Sequence, residues 1–326
     1  MGKMLKNGEL HSKSSDLNGQ FVRADSGFRD WVSRDGSTDF PAEADRYHLY
    51  VSIACPWSHR TMIMRTLKGL EKVITVTTMD ALLGEESWRL DQKSFDETAG
   101  VPRDTFLYEV YLRAAPRYSG TITVPLLWDK KTRRIVSNES ADIMRMLNSA
   151  FDDFVTFPTD YYPGDLRPEI DRINAMVYDA ISNGVYRAGF AASQDAYDES
   201  VNTLFEALDN LELLLSHRRY LAGNRITEAD WRLFTTLVRF DPVYVTHFKT
   251  DRKRIADYPN LSAYLRELYQ VPGISGTIDI PHIRRHYFLS HRHLNPSGII
   301  PAGPEGNLDG PHGREFPPQA VIPSGR

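Results

Sequence analysis

The chain contains a single cysteine, Cys55, among 326 residues. It follows the apolar run Tyr47-His48-Leu49-Tyr50-Val51-Ser52-Ile53 and opens the stretch Cys55-Pro56-Trp57-Ser58-His59-Arg60. A sulfur at the end of a strand and the start of a helix meets free backbone N–H groups and the positive end of the helix dipole, both of which favour an anion. The thiolate is the reactive form, so this placement suits a nucleophile. A lone cysteine is also commonly a small buried hydrophobe; the Cys-Pro pair between a β-rich run and a helix-period segment favours the functional reading. A dithiol site would need a second cysteine at position 58, where Ser58 stands. Redox chemistry at Cys55 must therefore take its second sulfur from outside, from glutathione or a similar small thiol.

Composition narrows the setting. The length suits about two domains, and 41% hydrophobic residues supply cores for both. A net charge of −4 gives no general attraction to nucleic acid or to an acidic membrane. No run of 18 apolar residues is present, so no membrane span is expected. One cysteine, and a polar start without a secretory apolar stretch, fit a cytoplasmic protein. His282, His286, His291 and His293 cluster among arginines. No thiol or carboxylate completes a metal set there, so no metal is expected and a basic helix or surface is the favoured reading.

The elements that must hold the thiol are readable in outline. Residues 1–44 are polar and read as an irregular arm, with Phe28 and Trp31 as its anchors. Residues 47–53 read as a strand, 57–68 as a helix stopped by Gly69, and 72–78 as a second, β-branched strand. Residues 81–119 lack periodicity and read as a long insertion. Residues 121–128 and 133–136 read as a hairpin, with Pro125 marking an edge, a bulge or a cis bond. Ser137 or Asn138 is placed to cap the helix that follows. The order β-α-β, insertion, β-β-α is that of a thioredoxin-like domain, expected over 45–157. A boundary at Phe157-Pro158 and Tyr162-Pro163-Gly164-Asp165 leads to an all-helical domain over 165–293. Its helices are expected at 166–182, 195–217, 259–269 and 279–287. A further helix opens at Thr227, with Asp230 completing a capping box and Ile226 as a hydrophobic staple. The tail 294–326 holds thirteen Pro and Gly from Asn295 onward and cannot sustain a helix.

This architecture resembles the glutathione transferase fold, and ordered motifs take the resemblance further. Cys55-Pro56-Trp57-Ser58-His59-Arg60, Tyr118-Ser119-Gly120, Thr123-Val124-Pro125-Leu126-Leu127-Trp128-Asp129 and Ser137-Asn138-Glu139-Ser140 are similar to those of the glutathionyl-hydroquinone reductases, the Xi class of that superfamily. So are Asn183-Gly184-Val185-Tyr186-Arg187-Ala188-Gly189-Phe190-Ala191, Arg239-Phe240-Asp241-Pro242-Val243-Tyr244 and His282-Ile283-Arg284-Arg285-His286-Tyr287-Phe288. The resemblance runs from about residue 30 into the tail.

The resemblance implies a two-step exchange. Cys55 takes glutathione from a glutathionyl-hydroquinone as a mixed disulfide, and a second glutathione releases it as oxidised glutathione. It implies that Tyr186 and Tyr287 contact the hydroquinone, that Trp88 lies at the glutathione site, and that the Val124 backbone pairs with the cysteinyl part. It assigns Glu139 and Ser140 to the γ-glutamyl end, and it implies a homodimer. Members of the family usually carry arginine after Tyr-Ser-Gly; here Thr121 stands there, with Arg113 and Arg117 as candidate substitutes. Two other readings stay open on the residues alone. One is an omega-like thioltransferase or dehydroascorbate reductase using the same thiol; the other is a binding protein of this fold without turnover.

Overall fold

The structure is a computed structural model that describes residues 3–12, 24–99, 106–155 and 158–314. Phe157 at the expected boundary, part of the expected arm, residues 100–105 of the insertion and residues 315–326 of the tail lie outside the described residues.

The site rests on a four-stranded sheet whose central strand, β5 (Tyr47–Val51), is buried along its whole length. Alternate side chains leave opposite faces of a strand. Tyr47, Leu49 and Val51 enter one core, and Tyr50 enters the other. Burial on both faces explains why the segment reads as a continuous apolar run. β5 pairs in parallel with β6 (Ile74–Thr78) and antiparallel with β8 (Leu126–Asp129), which pairs antiparallel with β9 (Arg134–Ser137). The same alternation divides β8 and β9: Leu127 and Val136 face the first core, while Leu126, Trp128 and Ile135 face the second. Helix α1 (Pro56–Leu67) links β5 to β6, with Pro56 in its first turn, where the missing N–H is not required. Gly69 follows the helix at φ 63°, a conformation that favours glycine. The order matches the thioredoxin-like reading, and Val124-Pro125 is cis.

The arm is more regular than its polar composition suggests. β1 (Lys3–Lys6) and β2 (Glu9–Ser12) form a hairpin, and β1 also pairs with β7 (Gly120–Thr121), so Thr121 lies opposite Met4. The turn is Asn7-Gly8, with φ 49° and 86°. An Asn-Gly pair with both residues left-handed is the favoured two-residue hairpin turn. A Cβ on Gly8 would stand 2.3 Å from the Pro116 carbonyl oxygen. Leu5 is fully buried and adds to the second core. Residues 32–33 and 40–41 form two further short strands, β3 (Val32–Ser33) and β4 (Phe40–Pro41). Phe28 packs against Tyr111 and Tyr118, whereas Trp31 stays 38% exposed and is not an anchor. Within the expected insertion, α2 (Leu107–Ala114) packs against β9.

Helix α3 (Ser140–Ser149) begins after β9 and packs on α1. Its cap is Glu139, not Ser137 or Asn138: the Glu139 carboxylate accepts from Ala141 N at 3.0 Å. Ser137 Oγ instead accepts from Glu139 N, and the Asn138 amide bridges to Tyr111 and Thr123.

The remainder is helical. α4 (Arg167–Met176) gives way to a π-helical turn at 177–182, followed by α5 (Gly184–Gly189) and α6 (Gln194–Leu215). α7 (Glu228–Arg239) packs on α1 and runs through a second π turn at 240–244 into α8 (Val245–His247). α9 (Pro259–Tyr269) and α10 (Ile280–Ser290) complete the order. The helix expected over 166–182 thus changes pitch midway. An apolar period tolerates one wide turn, so the pattern does not reveal it. Asp230 closes the expected box, accepting from Thr227 N at 2.7 Å and Thr227 Oγ1 at 3.1 Å. Residues 308–314 lie against α9 through Gln270, Arg266 and Arg314.

Candidate active site

The antiparallel pairing of β8 with its two neighbours explains why the sequence-distant motifs meet. The C-terminal ends of β5 and β9 flank the N-terminal end of β8. Cys55, Val124-Pro125 and Glu139-Ser140 follow or precede these three strand ends.

Cys55 is the N-cap residue of α1, extended at φ −77° and ψ 121°, with its own carbonyl accepting from His59 N at 3.0 Å. Cys55 is half-buried, and its sulfur lies 3.7 Å from the Val124 carbonyl oxygen. The position of a resolving cysteine is closed to chemistry here. Ser58 is fully buried, and its Oγ accepts from Ser52 N at 3.3 Å. Cys55 packs against the second core, which includes Trp88 and Val124.

Trp88 is 8% exposed and stacks on His286, with ring centroids 5.1 Å apart and planes 15° apart. His286 Nδ1 donates to the Ala81 carbonyl at 2.8 Å, and Ser290 Oγ accepts from Leu83 N at 3.0 Å. The segment that carries Trp88 is therefore tied to α10. At the start of α3, the other Glu139 oxygen accepts from Ser26 Oγ at 2.9 Å. The Asn138 amide donates to Thr123 Oγ1 at 3.2 Å, which sets this helix start beside the Val124 turn. Ser140 is the first residue of α3 and is buried.

Tyr186 and Tyr287, from α5 and α10, come together with their hydroxyls 2.7 Å apart. A third phenol joins them: Tyr244, at the end of the second π turn, lies 3.1 Å from the Tyr287 hydroxyl. Burial raises the Tyr244 and Tyr287 pKa values above the ordinary phenol value, so both stay protonated at neutral pH. A thiolate at Cys55 also disfavours a Tyr244 phenolate. The arrangement can present a nucleophile on one side of a substrate and hydrogen-bond donors on the other.

The sequence reading did not assign Tyr244 or His286 a role, although both lie in stretches that carry the family resemblance. An aromatic at the end of an apolar helix reads as core, and only the tertiary approach of α5 and α10 distinguishes it. Among the described residues no group of three His, Cys, Asp or Glu could hold a metal ion, and no helix is long and apolar enough to cross a membrane. Arg113 and Arg117 are exposed.

Two family models match the chain, Glutathione S-transferase, N-terminal domain over residues 54–150 and Glutathione S-transferase, C-terminal domain over 194–267. The chain is 55% identical to glutathionyl-hydroquinone reductase YqjG of Escherichia coli, across 91% of this chain and 93% of that one. The glutathione-bound structure of YqjG superposes with a TM-score of 0.87 at 52% identity, covering 95% of this chain and 98% of that chain. Identity to glutathionyl-hydroquinone reductase PcpF of Sphingobium chlorophenolicum is 50%, over 90% of this chain and 92% of that protein. A Xi-class glutathione transferase structure from Natrialba magadii gives a TM-score of 0.89 at 44% identity, covering 96% of each chain. With sequence, fold and coverage in agreement, the chain belongs to the glutathionyl-hydroquinone reductases, the Xi class of the glutathione transferases.

Proposed function

We propose that the protein reduces glutathionyl-hydroquinones to hydroquinones with glutathione as co-substrate, through a Cys55–glutathione mixed disulfide. The observation that carries this reading is a half-buried monothiol at the start of α1, beside the Val124 turn, together with the bonded Tyr186, Tyr287 and Tyr244 hydroxyls of the helical elements. The Cys55 thiolate attacks the thioether sulfur of the substrate. An S–S bond forms, the aryl carbon–sulfur bond breaks, and the aryl carbon leaves with the bonding pair and takes up a proton. The sulfurs are oxidised to a disulfide as the aromatic carbon is reduced. The thiolate of a second glutathione then attacks the mixed disulfide, giving oxidised glutathione and free Cys55.

Within this reading Tyr186 and Tyr287 hydrogen-bond the hydroquinone oxygens. Trp88 walls the glutathione site, the Val124 backbone pairs with the cysteinyl part, and Glu139 and Ser140 hold the γ-glutamyl end. A carboxylate suits the glutathione amino group, and the first N–H groups of α3 suit its carboxylate. The working units are a glutathione-binding domain over 45–157 and a helical domain over 165–293, assembled as a homodimer. An unpaired thiol suits a reducing cytoplasm.

The test mixes the protein with a glutathionyl-hydroquinone and excess glutathione. Free hydroquinone and oxidised glutathione are expected in equal amounts, with no turnover in Cys55→Ala. Turnover of mixed disulfides alone would instead favour a thioltransferase. Glutathione binding without any turnover would favour a binding protein.

A further inference from the structure

Arg239 ends α7, comes from the helical domain, and is fully buried. Its Nε donates to the Ala54 carbonyl at 2.8 Å, and Nη2 donates to the Ile53 carbonyl at 2.9 Å. Nη1 donates to the Thr235 carbonyl at 2.7 Å and to Nδ1 of His59 at 3.0 Å. Ile53 and Ala54 are the two residues before Cys55, where the chain leaves β5 and turns into α1. A guanidinium is a planar, rigid fork of donors, so two adjacent carbonyls held by one fork fix the orientation of that turn.

His59 extends the contact. Arginine has no acceptor, so His59 Nδ1 must accept, and the ring proton sits on Nε2. Nε2 meets Thr277 Oγ1 at 2.7 Å, and the Thr277 hydroxyl donates onward to the Ile274 carbonyl at 2.6 Å. Burial, reinforced by the Arg239 charge, drives the His59 pKa well below its ordinary value and keeps the ring neutral. Every hydrogen-bond partner of Arg239 among the described residues is a main-chain carbonyl or an imidazole, and none is a carboxylate. Buried arginines are ordinarily paired with an acid. Here no carboxylate among the described residues pairs with it, and its charge opposes the burial-driven rise at both Tyr244 and Tyr287.

We propose that Arg239 is a positioning residue for Cys55: it grips the Ile53 and Ala54 carbonyls from the helical domain, with His59 as its backing, and so aims the sulfur at the substrate. It contacts no substrate atom and acts through the cysteine. The proposal rests on Cys55 being the nucleophile, and its test separates the two claims.

Arg239→Met and Arg239→Lys are compared with the parent and with Cys55→Ala. The readouts are thermal melting, kcat and KM for the glutathione adduct of benzohydroquinone, and the rate of iodoacetamide alkylation. Because Cys55 is the only cysteine, alkylation reports that sulfur without substrate binding. A misaimed nucleophile costs on the order of 100-fold, so Arg239→Met is expected to lose about 100-fold in kcat with KM within about threefold. Its alkylation rate should fall about tenfold, and Arg239→Lys should recover part of both losses by restoring charge and one or two donors. Parent-like kcat and alkylation in a folded Arg239→Met would overturn the proposal. So would a loss confined to KM and melting temperature. Should Arg239→Met fail to fold, Arg239→Lys decides. A kcat loss of about tenfold at unchanged KM supports the assignment, since lysine lacks the fork; parent-like kcat overturns it. Turnover in Cys55→Ala would refute the nucleophile itself, whatever the Arg239 variants do.

Discussion

Tyr287 is hydrogen-bonded to Tyr186 and to Tyr244, and Tyr186 also bears on Tyr244 through a hydrogen bond. Hydrogen bonds in a network polarise one another, and the Tyr287 hydroxyl makes the close contacts to both other phenols. Tyr287→Phe breaks both links and is expected to lower kcat by about 100-fold, in the range of a lost donor to developing charge. Tyr186→Phe should cost about tenfold, and Tyr244→Phe somewhat less, because each leaves Tyr287 with a phenol partner. Steady-state rates of the three variants check the order. A Tyr287→Phe enzyme as fast as its parent would remove the phenols from the reaction. Thr121, where the family resemblance leads to an expected arginine, pairs with Met4 at the edge strand. Its side chain therefore brings no cation to the site.

At the scale of elements, Asp230 closes the capping box of α7 and holds four hydrogen-bond donors. Its carboxylate accepts from Thr227 N, Thr227 Oγ1, Leu221 N at 2.9 Å and Tyr264 Oη at 2.7 Å. Asp230→Ala strands buried donors and is expected to cost about 3–5 kcal/mol. That corresponds to a fall of roughly 10 °C in melting temperature, and Asp230→Asn should lose less. A melting curve unchanged by Asp230→Ala would contradict the assignment. This box was legible in Thr227-Glu228-Ala229-Asp230, as was α9, because both signals are local. β5, α1 and β6 were legible because their apolar periods are clean. The hairpin of the arm was signalled only by Asn7-Gly8, within polar surroundings that hide a strand whose one deeply buried side chain is Leu5. Glu139 was missed as a cap because Ser137 and Asn138 are the stronger cap formers, yet both are engaged elsewhere. The π turns leave the apolar spacing almost unchanged. They are felt only in where they deliver Tyr186 and Tyr244.

The whole molecule carries an unusual load of buried imidazole. Burial lowers the pKa of His48 to about 3 and those of His247 and His286 to about 4. His59 and His291 are shifted well down in the same direction. In each case the unfolded chain binds the proton first, so stability is complete above the unfolded value of about 6.5 and is lost as pH falls below it. Each of the three histidines with a value near 3 or 4 should cost about 1 kcal/mol between about pH 7 and about pH 5.5, together about 3 kcal/mol. Melting temperature should therefore drop by several degrees over that range, and a flat or rising profile would contradict it. The links between domains were not legible from local pattern. Arg239 reads as a helix-ending arginine, and nothing in its spacing indicates that it reaches Ile53 and Ala54, about 185 residues away. Cys55 itself was legible, because its signal is a strand, a thiol and a proline in sequence. Tyr186 and Tyr287, by contrast, were picked out by resemblance, and only the fold brings their hydroxyls together.

Mass spectrometry of the intact protein is the most direct measurement of the central claim. Mixed with one equivalent of a glutathionyl-hydroquinone and no free glutathione, the protein should gain one glutathionyl group on the peptide bearing Cys55 and release one hydroquinone. Added glutathione should then return it to its original mass with formation of oxidised glutathione. Hydroquinone release without an adduct on Cys55, or an adduct that glutathione cannot discharge, would contradict the proposed exchange.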